Sequence, residues 1–391
     1  MNQYAASIFT ISLFVTGVGI PISLIAFYFP VQFYHPPLII TEPRMQTDRL
    51  TTFECTISRG STTHAFNHAK KKVPLFDIFG THNLEELVPD SNEIISIGGK
   101  FRFGQLLFSF TQNMYHGFFF TFLAPLRRLV INSLNYSRLT DHQGPFFAPF
   151  DHALKKAGLD RHEIHTTGLA DFLALIGCTY SVLDDPYVDF FDHCLQIGLL
   201  MPTSLQQQEN NIFSLPLGFD GHWAFASSLN SSVGLYEWIT AGICVDCLIF
   251  APHAKKMRIK TNSNQCGMLF AMKHRVSCIK YPQFSCAMYL KADHVTRGLS
   301  IIGSYSYTYQ GKTKIMRDNA TDNDALANTD QRLDRWYVHA IHGAIEYDFT
   351  GYEDTIGPRV AIFYDKPLSG SHVFIPSLWS GTVGIDVCWQ F

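Results

Sequence analysis

Eleven ionisable side chains fall on the polar faces of alternating segments: Asp171, Asp192, Asp246, Lys291, Asp293, His342, Glu346, Asp348, Arg359, Asp365 and Asp386. Gathered around water, that many carboxylates facing so few cations would favour passage of cations, as charged rings in pores do. Paired with Lys291, Arg359, Arg102 and one another, they would instead fill a narrow, closed interior. A nucleophilic hydrolase is a different use of such a chain, and it needs a serine within reach of a histidine base. His193 and His339 fall on the apolar faces, but no His-x-Ser element and no GxSxG elbow accompanies them. The run SYSYT reads as the alternating hydroxyls of a strand, so no catalytic residue is assigned.

Nine cysteines form no zinc-type pattern. Cys244 and Cys247 lie in ICVDCLIF, a strand that sends them to opposite faces, so neither a metal nor another cofactor is called for. Cys266 and Cys278 are close enough in sequence to close a short disulfide loop, worth ~2 to 3 kcal/mol on the chain-entropy account. The net charge of -3 and the lack of a basic cluster beyond Lys70, Lys71 and Lys72 exclude nucleic acid as a partner.

Composition asks for something apolar to face. Charged residues make up 16% of the 391, against ~25% in ordinary soluble domains, while 33 are Phe. The elements that could position the charges are strands. In GLSIIGSYSYTYQ, Leu299, Ile301, Tyr305, Tyr307 and Tyr309 alternate with Ser300, Ser304, Ser306, Thr308 and Gln310. RWYVHAIHGAIEYDF and HWAFASSLNSSVGLY repeat the pattern, with apolar faces that end in Tyr, Trp or Phe. Residues 103–126 carry no formal charge and mimic a spanning helix, yet Gln105, Gln112, Asn113 and His116 and the turn-like TQNMYHG favour two strands and a tight turn.

Strands are read near 75–81, 97–112, 117–131, 168–181, 188–201, 222–235, 238–250, 285–293, 298–310, 333–348, 357–367 and 380–391. Their connections alternate between long and short, with short turns at NMYH, LDDPYV, YEW and HVTR. That parity, with an even strand number, predicts one all-β domain over 73–391: a single antiparallel, up-and-down transmembrane barrel of about twelve strands. Residues 41–72 read as a linker, and the apolar residues 1–40 as a signal peptide or an N-terminal hydrophobic anchor. GGKFRFGQLLFSF changes phase near Gly104 and asks for a bulge or a different strand boundary. GLADFLALIGCTYS is apolar on both faces, as where something packs inside a lumen. APFDHALKKAGLD, 148–160, has helical spacing with Gly158 as its stop.

The chain ends on GTVGIDVCWQF, in which Val383, Ile385, Val387, Trp389 and Phe391 share one face. This ending resembles the C-terminal insertion signal of Gram-negative outer-membrane β-barrel proteins. FDIFGTHN, KADHVTRGLS and EYDF add a likeness to exported barrels of intracellular or reduced-genome bacteria. The resemblance implies export, a place in the outer-membrane bilayer and recognition by the barrel-assembly machinery. The polar faces then line a lumen. The function expected is a passive, porin-like channel for small solutes with weak cation preference. The alternatives are a non-conducting, adhesin-like barrel acting through the loops at 132–167 and 251–284, and an outer-membrane lipid hydrolase. Gln331 and Asn264 are expected outside and Glu237 on the periplasmic side.

Overall fold

The computed structural model describes residues 51–84, 93–140, 147–185, 188–236, 238–270, 272–296, 298–317, 323–349 and 356–387. The expected signal or anchor, Glu237, Trp389 and Phe391 lie outside the described residues. Twelve long strands follow one another: β1 (Thr51–Thr62), β2 (Ile94–Asn113), β3 (Phe118–Arg138), β4 (Phe172–Asp185), β5 (Val188–Met201), β6 (Ala224–Leu235), β7 (Ile239–Phe250), β8 (Gln283–Thr296), β9 (Leu299–Gln310), β10 (Trp336–Asp348), β11 (Ile356–Ser371) and β12 (Ser377–Val387). Each pairs antiparallel with its neighbours in the chain, and β12 pairs with β1 from Thr51 opposite Val387 to Ser61 opposite Ser377. The sheet therefore closes on itself, which leaves no unpaired edge for a bilayer to satisfy.

Alternation sets the two faces. On β9, Ile301 and Tyr305 are exposed while Ser306, Thr308 and Gln310 are buried; on β12, Val383 and Ile385 face out and Thr382 faces in. Phe53, Phe108, Leu199, Phe225, Met288 and Ile362 continue the apolar exterior around the cylinder. Such an exterior has hydrocarbon rather than water as its solvent. No described helix is long and apolar enough to cross a membrane; the strands do so, and residues 103–126 form the β2–β3 hairpin around the turn at Tyr115–Gly117.

Three expectations are corrected. The segment 41–72, read as a linker, holds β1, and residues 75–81, read as the first strand, contain only a short 3-10 turn, Asp77–Phe79, inside the barrel. β1 occupies the same place and direction in the strand order, so twelve strands survive the exchange; the alternation of long and short connections holds as far as β10, while the link from Ser371 to Ser377 is as short as a turn. The second concerns Gly104: β2 keeps one phase, with Ile95, Ile97, Phe101 and Phe103 buried inside above Gln105 and Leu107, which line the lumen below. The surroundings change there, from an apolar interior to a polar one, so the apolar face of the strand changes sides. The bulge lies across the ladder in β3, where Ser133 has φ +55° and the register slips between Gly98 and Lys100. The third is the disulfide, taken up below.

The long connections fold inward. After β1, a small sheet of His64–Phe66, Lys72–Pro74 and Val373–Phe374 leads into Leu75, Phe76, Ile78 and Phe79, all fully or almost fully buried. The Asp77 carboxylate anchors this segment to the wall, accepting from Ser96 Oγ at 2.5 Å and from the Ile97 N–H at 2.9 Å. Phe213, Leu215 and Leu217 from the β5–β6 connection and Met268 and Leu269 from the β7–β8 connection join the same cluster. Phe101, Leu129, Ile131, Trp336, Val338 and Leu378 complete it from the barrel wall. One hydrophobic plug thus spans the loop-side half of the lumen.

The helix expected over 148–160 is α1 (Phe147–Lys156). The Leu159 N–H closes a 2.8 Å bond to the Leu154 carbonyl across Gly158, at φ +62°, the cap that glycine makes cheap. Its Phe150, Ala153 and Leu154 pack on the plug, so the helix is a cover rather than a free surface element. Above the barrel, His253–Arg258, Lys273–Ile279 and Lys314–Arg317 form a second small sheet over its own core of Met257, Val276, Ile315 and Leu333. The Arg258 guanidinium holds the layers together, donating to the carbonyls of Glu209, Phe270, Ala157 and Gly158 at 2.8 to 3.1 Å.

Candidate functional site: the lumen beneath the plug

Below the plug lies a chamber of about 230 Å³ with two unlike walls. From β2 round to β7 it is lined chiefly by Leu107, Leu123, Leu173, Leu175, Leu200 and Leu248, with Gln105, Arg127, Ser228 and Asp246 among them; from β8 round to β1 chiefly by Ser285, Thr308, Asp365, Ser380, Thr382 and Thr56, with Phe363. The two-sided apolarity of GLADFLALIGCTYS is explained here: Leu173 and Leu175 face the chamber while Ile176 and Tyr180 face out.

The strands carry most of the sequence-selected charges inward, at two heights. Asp192, Lys291, Asp293, Glu346, Asp348 and Arg359 cluster toward the short turns. Asp246, His342 and Asp365 lie at mid-barrel, and Asp171 lies just before β4 beside the chamber. The side chain of Asp386 lies outside the described residues. Several of these groups are committed to partners rather than open to a pore. Lys291 Nζ pairs with Asp293 Oδ1 at 2.9 Å, and Asp293 also accepts from Thr240 and Ser300. Asp171 accepts from the backbone N–H groups of Ser204 and Phe219, and so ties the β5–β6 connection to the wall. Arg359 pairs with Glu54 across β12.

Glu54 and Arg127 escaped the sequence reading, and both had a signal. TTFECTISRG alternates Phe53, Cys55 and Ile57 with Thr52, Glu54, Thr56 and Ser58 as cleanly as any later strand. In LRRLV, adjacent residues of a strand face opposite sides, so Arg127 or Arg128 had to point inward. Arg127 does, donating from Nε to Gln105 Oε1 at 2.7 Å and from Nη1 to the Leu217 carbonyl at 2.6 Å.

At mid-barrel, three side chains form a chain of hydrogen bonds across β9, β10 and β11. Ser306 Oγ is 2.8 Å from His342 Nε2, and His342 Nδ1 is 2.6 Å from Asp365 Oδ1. The connectivity is that of a serine triad, but Ser306 has no exposed surface from which to attack a substrate. Asp365 is fully buried beside the chamber, and its other oxygen, Oδ2, has no hydrogen-bond partner. On the outer face, His339 meets Tyr305 Oη at 2.5 Å, not a serine, and His193 meets Ser231 Oγ at 2.8 Å. Among the described residues no group of three or more His, Cys, Asp or Glu is placed to hold a metal.

The expected Cys266–Cys278 bridge is not formed. Both thiols are free and belong to different layers: Cys266 Sγ donates to the Thr81 carbonyl at 3.1 Å beside the plug, and Cys278 packs against Met257 in the upper core. Cys278 lies in a strand whose ladder turns it into that core, away from Cys266.

Comparison with known proteins adds likeness of architecture. No family model and no curated protein matches the sequence. Among solved structures, an outer membrane channel from Pseudomonas putida F1 aligns at 13% identity over 88% of this chain and 98% of its own, with a TM-score of 0.49. The monoaromatic hydrocarbon channel TodX, as its deltaS2S3 mutant, aligns at 11% identity over 93% and 97%, with a TM-score of 0.41. The translocator domain of the autotransporter NalP from Neisseria meningitidis aligns at 11% over 90% and 93%, with a TM-score of 0.37. With its strands closed and its exterior apolar, the chain has the fold of an outer-membrane β-barrel.

Proposed function

We propose that the protein is a plugged channel of the Gram-negative outer membrane, in which an internal hydrophobic seal separates the loop side from a chamber that takes small amphipathic solutes. One observation carries the reading: a single buried cluster crosses the lumen from wall to wall, from Phe101 and Leu129 through Phe76, Phe213 and Leu215 to Trp336 and Val338, above an amphipathic chamber. The plug closes the path at rest, and its displacement opens it. Asp246 and Asp365 beside the chamber, against Arg127, give the open path its weak preference for cations.

Planar-bilayer conductance of the refolded chain tests this, with a heat-shifted gel band as the check on folding. The native protein is expected to be mostly closed. Phe76→Ala with Phe213→Ala, which removes a ring pair 4.5 Å apart at the heart of the seal, is expected to add frequent openings with a cation-favouring reversal potential. Steady ohmic conductance in the native chain would refute the seal. A folded double variant that never conducts would refute the channel and favour a barrel that acts through its external loops.

A further inference from the structure

Outside the barrel, one arc of the wall departs from the apolar pattern. Arg59 on β1, Arg102 on β2 and Arg128 on β3 all face out, and all three are exposed. Gly104 stands between Arg59 and Arg128, opposite each of them in the ladders. His165, on the short strand Ile164–Leu169 that pairs with the upper part of β3, completes the arc. Together with Ile57 these residues line an outer groove of about 460 Å³. Gly104 has no strained conformation to explain it; the nearest atom to a Cβ built there is Arg128 Cβ at 3.9 Å, so the missing side chain leaves the groove open.

Charge in this arc is one-sided. The four strand segments that form it contain a single carboxylate, Glu54, which faces the lumen and pairs with Arg359. Among the described residues Arg59, Arg102 and Arg128 have no ion pair and no side-chain hydrogen bond. Lys100, one step above Arg102 on the same face, adds to the field. The height is also defined. Arg59 is opposite Trp379, which is 61% exposed and stacks with Tyr364 at 4.6 Å, so the arginines lie level with an aromatic pair of the kind that marks a membrane–water interface. Directly below them the same faces become Ile57, Leu106, Phe108 and Leu126, an acyl-chain surface. Unpaired guanidinium groups in hydrocarbon would be costly, but at headgroup depth they meet phosphate in the bidentate geometry that suits them.

We propose that this arc is a binding site for a phosphate-bearing lipid of the outer leaflet: Arg59, Arg102 and Arg128 clasp the headgroup phosphate in the groove at Gly104, and the acyl chains lie along β1, β2 and β3. The occupant is a lipid rather than a free anion because the guanidinium cluster and the apolar strip beneath it form one continuous surface.

Native mass spectrometry of the full chain, released from neutral detergent in the presence of diphosphorylated lipid A, tests the site. The native protein is expected to retain one lipid. Arg59→Gln with Arg102→Gln and Arg128→Gln is expected to weaken retention by ~100-fold. Gly104→Phe keeps every charge and fills the groove, and is expected to weaken it as well, with the heat-shifted band confirming a folded barrel in both. Equal retention by either folded variant would overturn the proposal, as would equal retention of a lipid A stripped of its phosphates. Displacement of the lipid by millimolar inorganic phosphate would show an anion site without a lipid component, and would overturn the assignment to lipid.

Discussion

His82 makes the plug sensitive to acid, and the size of the effect follows from its surroundings. The ring is fully buried between the first inward segment and the tip of the β7–β8 connection, where Gly267, at φ +78°, approaches so closely that any Cβ would meet the imidazole. The Met268 N–H donates to His82 Nδ1 at 3.0 Å, an acceptor role open only to the neutral ring. Burial pushes the imidazole down to about 4. When the plug opens, water restores the ordinary value near 6.5. Between those two values the opened state binds the extra proton, so the closed plug has its full stability above about pH 6.5 and loses it as the pH falls toward about 4. At about pH 5 the opening constant should rise by roughly 30-fold, about 2 kcal/mol, approaching about 3 kcal/mol at the acid limit. Asp77, 3.7 Å away, has its carboxyl raised by burial, which acts in the opposite sense. His222, pushed by burial to about 2, and His253 and His372, also lowered by burial, add slopes of the same sign as His82 elsewhere in the loops. The informative quantity is therefore the difference between the native protein and His82→Asn, which keeps an acceptor near the Met268 amide and cannot titrate. Hydrogen exchange at the amides of Phe76 and Leu84, corrected for intrinsic rates, should lose roughly 30-fold more protection in the native chain than in His82→Asn between about pH 7.5 and about pH 5. Equal losses in the two proteins would refute the assignment to His82.

Two further outcomes are expected. Glu54→Gln leaves the Arg359 guanidinium in the lumen with its main counter-charge removed and should destabilise the folded barrel by about 3 kcal/mol, whereas Glu54→Met with Arg359→Met should be nearly neutral; urea titration of the heat-shifted gel band distinguishes them, and equal losses would refute the pairing. Alkylation without reductant, read by mass, should find both Cys266 and Cys278 unbridged, with Cys266 reacting first because Cys278 is buried in the upper core; a mass deficit of one bridge would refute this arrangement.

The wall of the barrel was legible because lipid and lumen impose a two-residue period that Val383, Ile385, Tyr305 and Tyr307 obey wherever one side is apolar and the other wet. The plug was not, because its residues answer to neither period: Leu75, Phe76, Ile78 and Phe79 look like a strand in composition, yet they pack as a turn inside a cylinder whose existence depends on residues far away. The same interior reversed the face of β2 above Gly104, where Phe101 and Phe103 look inward to the plug, and so disguised an unbroken strand as a broken one. Phase alone turns Asp246, His342 and Asp365 inward, whereas Arg102, read as a lumen partner for such charges, faces out. Their pairing was not legible, since Glu54 meets Arg359 only once the first and last strands lie side by side.

That seam between β1 and β12 bears on the order of assembly. Thr56 and Thr382 share a hydrogen bond across a separation of 326 residues, so the last contacts to form close nearly the whole chain into a loop, the kind of contact that slows folding most. The sheet of His64–Phe66 and Val373–Phe374 belongs to the same seam, one part following β1 and the other preceding β12. Seating the plug and shutting the cylinder are therefore one event, late and cooperative. A nascent chain stalled before its final strand lacks this part of the plug's anchorage, and a mature barrel cannot part at this seam without loosening it.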